Sequence, residues 1–241
     1  MTVLDVRGVS KRFGGLQALS DVTFSVGEGQ IVGLIGPNGA GKTTFFSTLV
    51  GLIRPDRGSI ALDGRSIVGA KPHRVAAYGM TKTFQNVALF GDCTVLDNVL
   101  TAGLLRHDVQ AARDEACRSL DRVGLLAIAD KQADTLSFPE RARVELARAL
   151  CTGPKVLLLD EVMAALNPVE MREIMTLIRS LRDDGITLLV VEHHMRAIMA
   201  ICDRILVLNF GKLLADGTPK EIAGHPEVIE AYLGQSMEKH R

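Results

Sequence analysis

Gly36-Pro37-Asn38-Gly39-Ala40-Gly41-Lys42-Thr43 is the stretch that decides the reading of this chain. It matches the phosphate-loop pattern G-x-x-x-x-G-K-[ST]. It follows a short apolar run, Ile31 to Ile35, and precedes a stretch of helical character beginning near Gly41. Glycines in such a turn let backbone N–H groups converge on phosphate oxygens, and the start of the next helix adds a favourable dipole. Gly36, Pro37, Asn38, Gly39, Ala40 and Gly41 are then expected to cradle the phosphates of ATP. Lys42 is expected to reach the β- and γ-phosphates, Thr43 to hold Mg²⁺ and Thr44 to donate to the α-phosphate. A chance glycine-rich turn would not need the strand before it or the helix after it.

The next informative stretch is Val156-Leu157-Leu158-Leu159-Asp160-Glu161, an apolar strand ending in two acids. Acids at the mouth of a buried strand are ordinary by themselves. Beside a phosphate loop they divide the work of phosphoryl transfer, which is mainly positioning and charge stabilisation. Asp160 is expected to orient Mg²⁺ through water, and Glu161 to polarise the water that attacks the γ-phosphate.

The apolar runs Ile31 to Ile35, Val156 to Leu159 and Ile186 to Val191 are unbroken rather than alternating, as strands covered on both faces should be. Each leads into a helix-forming segment, which predicts a parallel α/β sheet. Val3 to Val9, Leu19 to Val26 and Ser59 to Leu62 instead read as a small antiparallel sheet, punctuated by Gly14-Gly15, Gly27 to Gly29 and Asp63-Gly64. Alanine, leucine and charges dominate from Val95 to Leu126, a helical insertion, and a second helix is expected from about Glu140 to Cys151. One domain over 1–241 is expected. Its nucleotide-binding core and β subdomain occupy 1–85 and 153–216, a helical subdomain 86–152 and a tail 217–241.

Lysine plus arginine and aspartate plus glutamate number 28 each, so charge gives no reason to expect nucleic acid. No apolar run approaches the roughly 20 residues of a membrane span. Met1 to Ser10 lacks the basic start and apolar centre of a signal peptide. Cys93, Cys117, Cys151 and Cys202 form no C-x-x-C pair and read as reduced thiols of a cytosolic protein.

Taken in order, these motifs resemble the ABC-transporter ATPases over nearly the whole chain. Phe13 stands where that family places an aromatic that stacks on adenine. Gln85, in Thr83-Phe84-Gln85-Asn86, stands where a glutamine contacts the metal or water beside the groove for a transporter's coupling helix. After the strand Ile186 to Val191, register makes His193 the histidine that meets the γ-phosphate and the attacking water, with His194 facing elsewhere. The resemblance implies a P-loop ATPase fold, a head-to-tail dimer with a second ATPase, identical or related, and transmembrane permease subunits. It places the chain on the cytoplasmic face of the inner membrane, as a peripheral subunit.

The pattern breaks at Leu136-Ser137-Phe138-Pro139-Glu140, where the family reads Leu-Ser-Gly-Gly-Gln or a relative with a bulky third residue. In the family this segment presents the Ser hydroxyl and backbone N–H groups to the partner's γ-phosphate, a role that falls on Ser137. Pro139 has no N–H to give. One lost donor to developing charge costs on the order of 2.7–4 kcal/mol. Proline is well tolerated in a first helical turn, and Ser137 remains available both as donor and as helix cap. Asn167 stands where the family usually has aspartate. A working but slowed ATPase is expected.

Gly79 to Phe90, Thr94 to Val99, Val191-Glu192-His193-His194-Met195, Asn167-Pro168 and the tail through Tyr232-Leu233-Gly234 resemble the ATPases of branched-chain amino-acid uptake systems. Such systems pair two related ATPases with two membrane subunits and a periplasmic substrate-binding protein. The cargo implied is a branched-chain amino acid or a related small amide or acid. Two alternatives stand beside it. One is a partly degenerate, mainly nucleotide-binding half of a heterodimer. The other is a non-transport ABC ATPase, which would usually carry coiled coils or two cassettes.

Overall fold

The computed structural model describes residues 1–84, 88–164 and 166–238. From the N-terminus the chain forms β1 (Thr2–Phe13), β2 (Leu16–Gly27) and β3 (Ile31–Ile35), then α1 (Lys42–Leu49) after the glycine-rich loop. β4 (Arg57–Leu62), β5 (Arg65–Ser66), α2 (Pro72–Tyr78) and β6 (Met80–Lys82) lead to three helices: α3 (Val95–Gly103), α4 (Val109–Arg122) and α5 (Phe138–Cys151). Then come β7 (Val156–Asp160), α6 (Pro168–Asp183), β8 (Thr187–Val191) and α7 (Met195–Ile201). β9 (Arg204–Asn209), β10 (Lys212–Gly217), α8 (Pro219–Ala223) and α9 (Pro226–Glu238) follow.

Two sheets result. One runs β2-β1-β4-β5 and is antiparallel. The other runs β10-β9-β3-β8-β7-β6, parallel from β9 to β6, with β10 antiparallel at its edge. This is the α/β architecture expected, with the antiparallel sheet beside the parallel one.

The unbroken apolar strands follow from the period-two geometry of a strand. Ile31, Ile35, Leu157, Leu159, Leu188, Val190, Ile205 and Val207 face a core shared with α3 to α7. Val32, Leu34, Leu158, Leu189, Leu206 and Leu208 face a second core, shared with α1 and the antiparallel sheet. Each strand is therefore apolar on both sides. In the second core Phe45 of α1 is fully buried, and its ring centroid lies 5.5 Å from that of Phe24 on β2. This contact ties the helix after the glycine-rich loop to the antiparallel sheet.

Several boundaries differ from expectation. β1 and β2 run on to the Gly14-Gly15 turn, well past Val9 and starting before Leu19. The helical stretch from Val95 is two helices, broken before Asp108, whose carboxylate accepts the Ala111 N–H at 2.9 Å and starts α4 afresh. α5 begins at Phe138 rather than near Glu140, because Ser137 caps it.

Phe45→Ala should cost about 3–5 kcal/mol of folding stability. Urea unfolding of the purified chain measures this, and a loss below about 1 kcal/mol would show that Phe45 does not join the two layers.

Candidate nucleotide site

The glycine-rich loop is shaped by two close backbone approaches. A Cβ on Gly36 would lie 2.2 Å from the Leu208 carbonyl oxygen of β9. Gly41 has φ 103, and a Cβ there would lie 2.6 Å from the Ala18 carbonyl oxygen of β2. Only glycine lets the loop sink between these strands. The Lys42 ammonium is buried and donates to the carbonyls of Gly36 (2.7 Å) and Pro37 (3.1 Å), so it folds back through the loop. Burial pulls its pKa below the ordinary lysine range, against the upward pull of the Glu161 and Asp160 carboxylates.

An open cleft of about 310 Å³ lies over this loop. Asn38 to Thr44 form its floor, Phe13, Leu16, Gln17 and Ala18 one wall, and Glu161 and His193 the other. Phe13 is 45% exposed, which excludes simple core packing, and Lys11 Nζ stands 5.4 Å from its ring centroid. Gly36 and Pro37 hold the loop from behind through their carbonyls. Gln85 lies outside the described residues.

Asp160 and Glu161 end β7 in different surroundings. Asp160 is buried and pairs with the buried ammonium of Lys82 at 3.1 Å, while its N–H donates to the Thr83 hydroxyl at 3.1 Å. Glu161 turns into the cleft with a left-handed backbone, φ 54. Its N–H donates to the Val191 carbonyl at 2.9 Å, and its carboxylate is hydrogen-bonded to His193 Nε2 at 2.9 Å. His194 does not line the cleft. Its Nδ1 is 3.9 Å from Glu192, beyond hydrogen-bond reach. The Glu192 carboxylate is buried at the end of β8 and accepts the Met163 N–H at 2.6 Å. Burial pushes it up to about 7, against hydrogen bonds from the Met163 and His193 N–H groups, with the charges of Glu161 and Asp160 adding to the rise.

Ser137 stands apart from the cleft, at the exposed start of α5, with Pro139 in the first turn. The Glu140 carboxylate accepts both the Ser137 N–H (2.7 Å) and the Ser137 hydroxyl (2.8 Å), and these bonds hold its pKa below the ordinary glutamate range. Asn167 caps α6 in turn, accepting the Val169 and Glu170 N–H groups at 2.8 and 3.1 Å.

Sequence reasoning missed Lys82, Glu192 and the Glu140 contact. Lys82 stands out only as a lone cation at the end of a three-residue strand, too short to recognise. Glu140 was readable, since S-x-x-E is the spacing of a capping box.

The chain matches the family profile described as "ABC transporter" over residues 19–164, and that described as "Branched-chain amino acid ATP-binding cassette transporter" over 212–237. The chain belongs to the ABC transporter family. This ABC cassette is 42% identical to the high-affinity branched-chain amino acid transport ATP-binding protein BraF of Pseudomonas aeruginosa, over 97% of its own length and 98% of BraF. It is 36% identical to the lipopolysaccharide export system ATP-binding protein LptB of Haemophilus influenzae, over 98% and 99%. Its fold matches the crystal structure of a nucleotide-free ATP-binding cassette from an ABC transporter, with TM-score 0.88, 28% identity and coverage of 96% and 99%. A dimeric post-hydrolysis cassette bound to ADP and Pi matches at TM-score 0.81, with 25% identity and coverage of 90% and 98%.

In this ABC cassette the Thr43 hydroxyl and the Asp160 carboxylate are hard oxygen donors that suit Mg²⁺. Among the described residues no group of three or more His, Cys, Asp and Glu side chains could hold a metal.

Lys82→Met should strand the buried Asp160 carboxylate and cost about 3–5 kcal/mol, lowering the unfolding temperature by at least about 6 °C. Thermal unfolding at neutral pH checks this; an unchanged midpoint would show that Asp160 needs no partner there.

Proposed function

We propose that this ABC cassette binds ATP with Mg²⁺ in the cleft over the Gly36 to Thr44 loop, and that hydrolysis there powers import of branched-chain amino acids or a related small amide or acid. The observation that carries the ATPase reading is the Glu161–His193 pair facing the phosphate loop across the cleft. The 42% identity to BraF over nearly the full length supports the cargo class.

In this reading the adenine stacks on Phe13, and the N–H groups of Gly39 to Thr44 meet the phosphates. Lys42 exchanges its loop carbonyls for phosphate oxygens. Thr43, Asp160 and Gln85 hold Mg²⁺, which neutralises phosphate charge when bound. Glu161 polarises the attacking water, with Gln85 contacting it, and His193 orients both that water and the γ-phosphate. The pairing of His193 with Glu161 keeps the two groups at one point before substrate arrives.

No helix among the described residues is long and apolar enough to cross a membrane, so transport needs permease subunits. An apolar cleft of about 230 Å³, lined by Val50, Leu52, Pro72, Ala76 and Phe84 among others, suits a short helix of such a permease. The chain then sits peripherally on the cytoplasmic face of the inner membrane, and a substrate-binding protein contacts the assembly from the other side. The dimeric cassette bound to ADP and Pi supports a dimer; in this reading the dimer is head-to-tail and Ser137 faces the partner's nucleotide.

A second reading follows from Glu140. Its carboxylate occupies the two Ser137 donors that a partner's γ-phosphate would use, and it brings negative charge to a place that must accept more. This chain would then serve its partner's site poorly, while its own site works against a partner with a free Ser hydroxyl. That favours a heterodimer of two related ATPases.

Glu161→Gln should lower Mg²⁺-dependent phosphate release at least about 100-fold without loss of ATP binding; retained turnover would remove Glu161 from catalysis. In the chain on its own, Glu140→Gln should raise turnover by about tenfold, equivalent to about 1.4 kcal/mol. A rate at or below that of the parent chain would show that Glu140 does not restrain the Ser137 segment.

A further inference from the structure

The catalytic carboxylate assigned above has an unusual backbone. Glu161 is not glycine, yet φ is 54, and a left-handed residue of this kind costs roughly 1–2 kcal/mol. Something must hold it there. Beyond the paired ends of β7 and β8 the two chain segments are clasped by three hydrogen bonds. The Glu161 N–H meets the Val191 carbonyl at 2.9 Å. The Glu161 carboxylate meets His193 Nε2 at 2.9 Å, and the Met163 N–H meets the Glu192 carboxylate at 2.6 Å.

The third bond is the one that looks costly. Glu192 is 3% exposed, and a buried carboxylate is normally avoided unless it is paired or hydrogen-bonded. Its neighbouring histidine is not its purpose, since His194 Nδ1 stays 3.9 Å away and is half exposed. Asp160 and Glu161 oppose its charge rather than favour it. Besides the N–H of the adjacent His193, the carboxylate accepts the N–H of Met163, across from it on the turn after β7. Met163 is itself fully buried, so that N–H could not turn to water.

The geometry points to Glu192 as a positioning residue that keeps Glu161 in its left-handed turn by anchoring the Met163 N–H to the end of β8. The inference rests on the reading of Glu161 as the group that polarises water. Glu192 does not line the cleft over the phosphate loop. Losing its acceptor frees the turn after β7 to relax to negative φ, which swings the Glu161 carboxylate away from His193 and the phosphate loop. Nucleotide binding depends instead on the loop after β3, across the cleft, and should survive.

The test compares Glu192→Ala and Glu192→Gln with the unaltered chain by three measurements: ATP affinity, the maximal rate of phosphate release, and hydrogen exchange in the segment containing Met163. Glu192→Ala is expected to keep ATP affinity within about twofold, lower the maximal rate about tenfold or more, and speed exchange at Met163. Glu192→Gln retains an acceptor oxygen and is expected to restore most of the rate and the protection. Unchanged exchange in Glu192→Ala overturns the anchor whatever the rate does. Faster exchange with an unchanged rate, or affinity and rate falling together, overturns the positioning role. An equally slow Glu192→Gln also overturns it, by pointing to charge rather than to the acceptor. An unaltered chain that is inert on its own would point to the heterodimer reading rather than against the site. Affinity and exchange would then decide: faster exchange at Met163 with ATP affinity held supports the anchor, and unchanged exchange overturns it.

Discussion

Three carboxylates meet where β7 and β8 end, and each has to be held at a site meant to receive a polyanion. Asp160 is paired with Lys82, Glu161 is hydrogen-bonded to His193, and Glu192 accepts two backbone N–H groups as its pKa rises. Lys42 approaches from the opposite side and feels the pull of the first two. A pair of acids at the end of a buried strand is therefore the visible part of a larger arrangement. The charges are tolerated because every one has a partner from a different segment: β6, the turn after β8, or the loop before α6. Those segments are in turn kept in place by the apolar faces of the sheet. The chemistry of the edge depends on the packing of the middle.

Much of this was legible in the sequence because the elements that matter are governed by local rules. Ile31–Ile35 and Val156–Asp160 form strands over the bounds read from their apolar runs. The spacing of Gly36, Gly41, Lys42 and Thr43 places them on one loop whatever surrounds it. What could not be read were contacts between distant segments. Lys82 and Asp160 are brought together only by β6 lying beside β7, and a three-residue strand leaves almost no periodic signal. Glu192 carries no motif meaning until Met163 is seen against it. The β9–β10 hairpin, whose Leu208 carbonyl dictates glycine at position 36, was likewise invisible from the loop that it shapes.

The altered segment at Ser137 belongs to a third kind of feature, readable in part. Proline at position 139 announces a missing donor, and the structure places it where a helix accepts proline with least strain, in the first turn of α5. Glu140 is the less obvious change. As a helix-capping partner it stabilises the start of α5, and in the heterodimer reading proposed above its carboxylate competes for the groups that an incoming phosphate would need. One side chain thus serves the fold and opposes the contact. A chain can carry such a trade when an assembly holds two cassettes, because a weakness on one side of the interface falls on the other site.

Lys42 has a consequence of its own. By donating to the Gly36 and Pro37 carbonyls, its ammonium acts as a mandrel around which the loop keeps its curve. In the function proposed above, nucleotide entry then becomes an exchange of oxygen partners rather than a folding event. Capture should run at the speed of encounter with little ordering entropy to overcome. The slow steps of the working cycle are thereby left to the larger bodies that move around the loop.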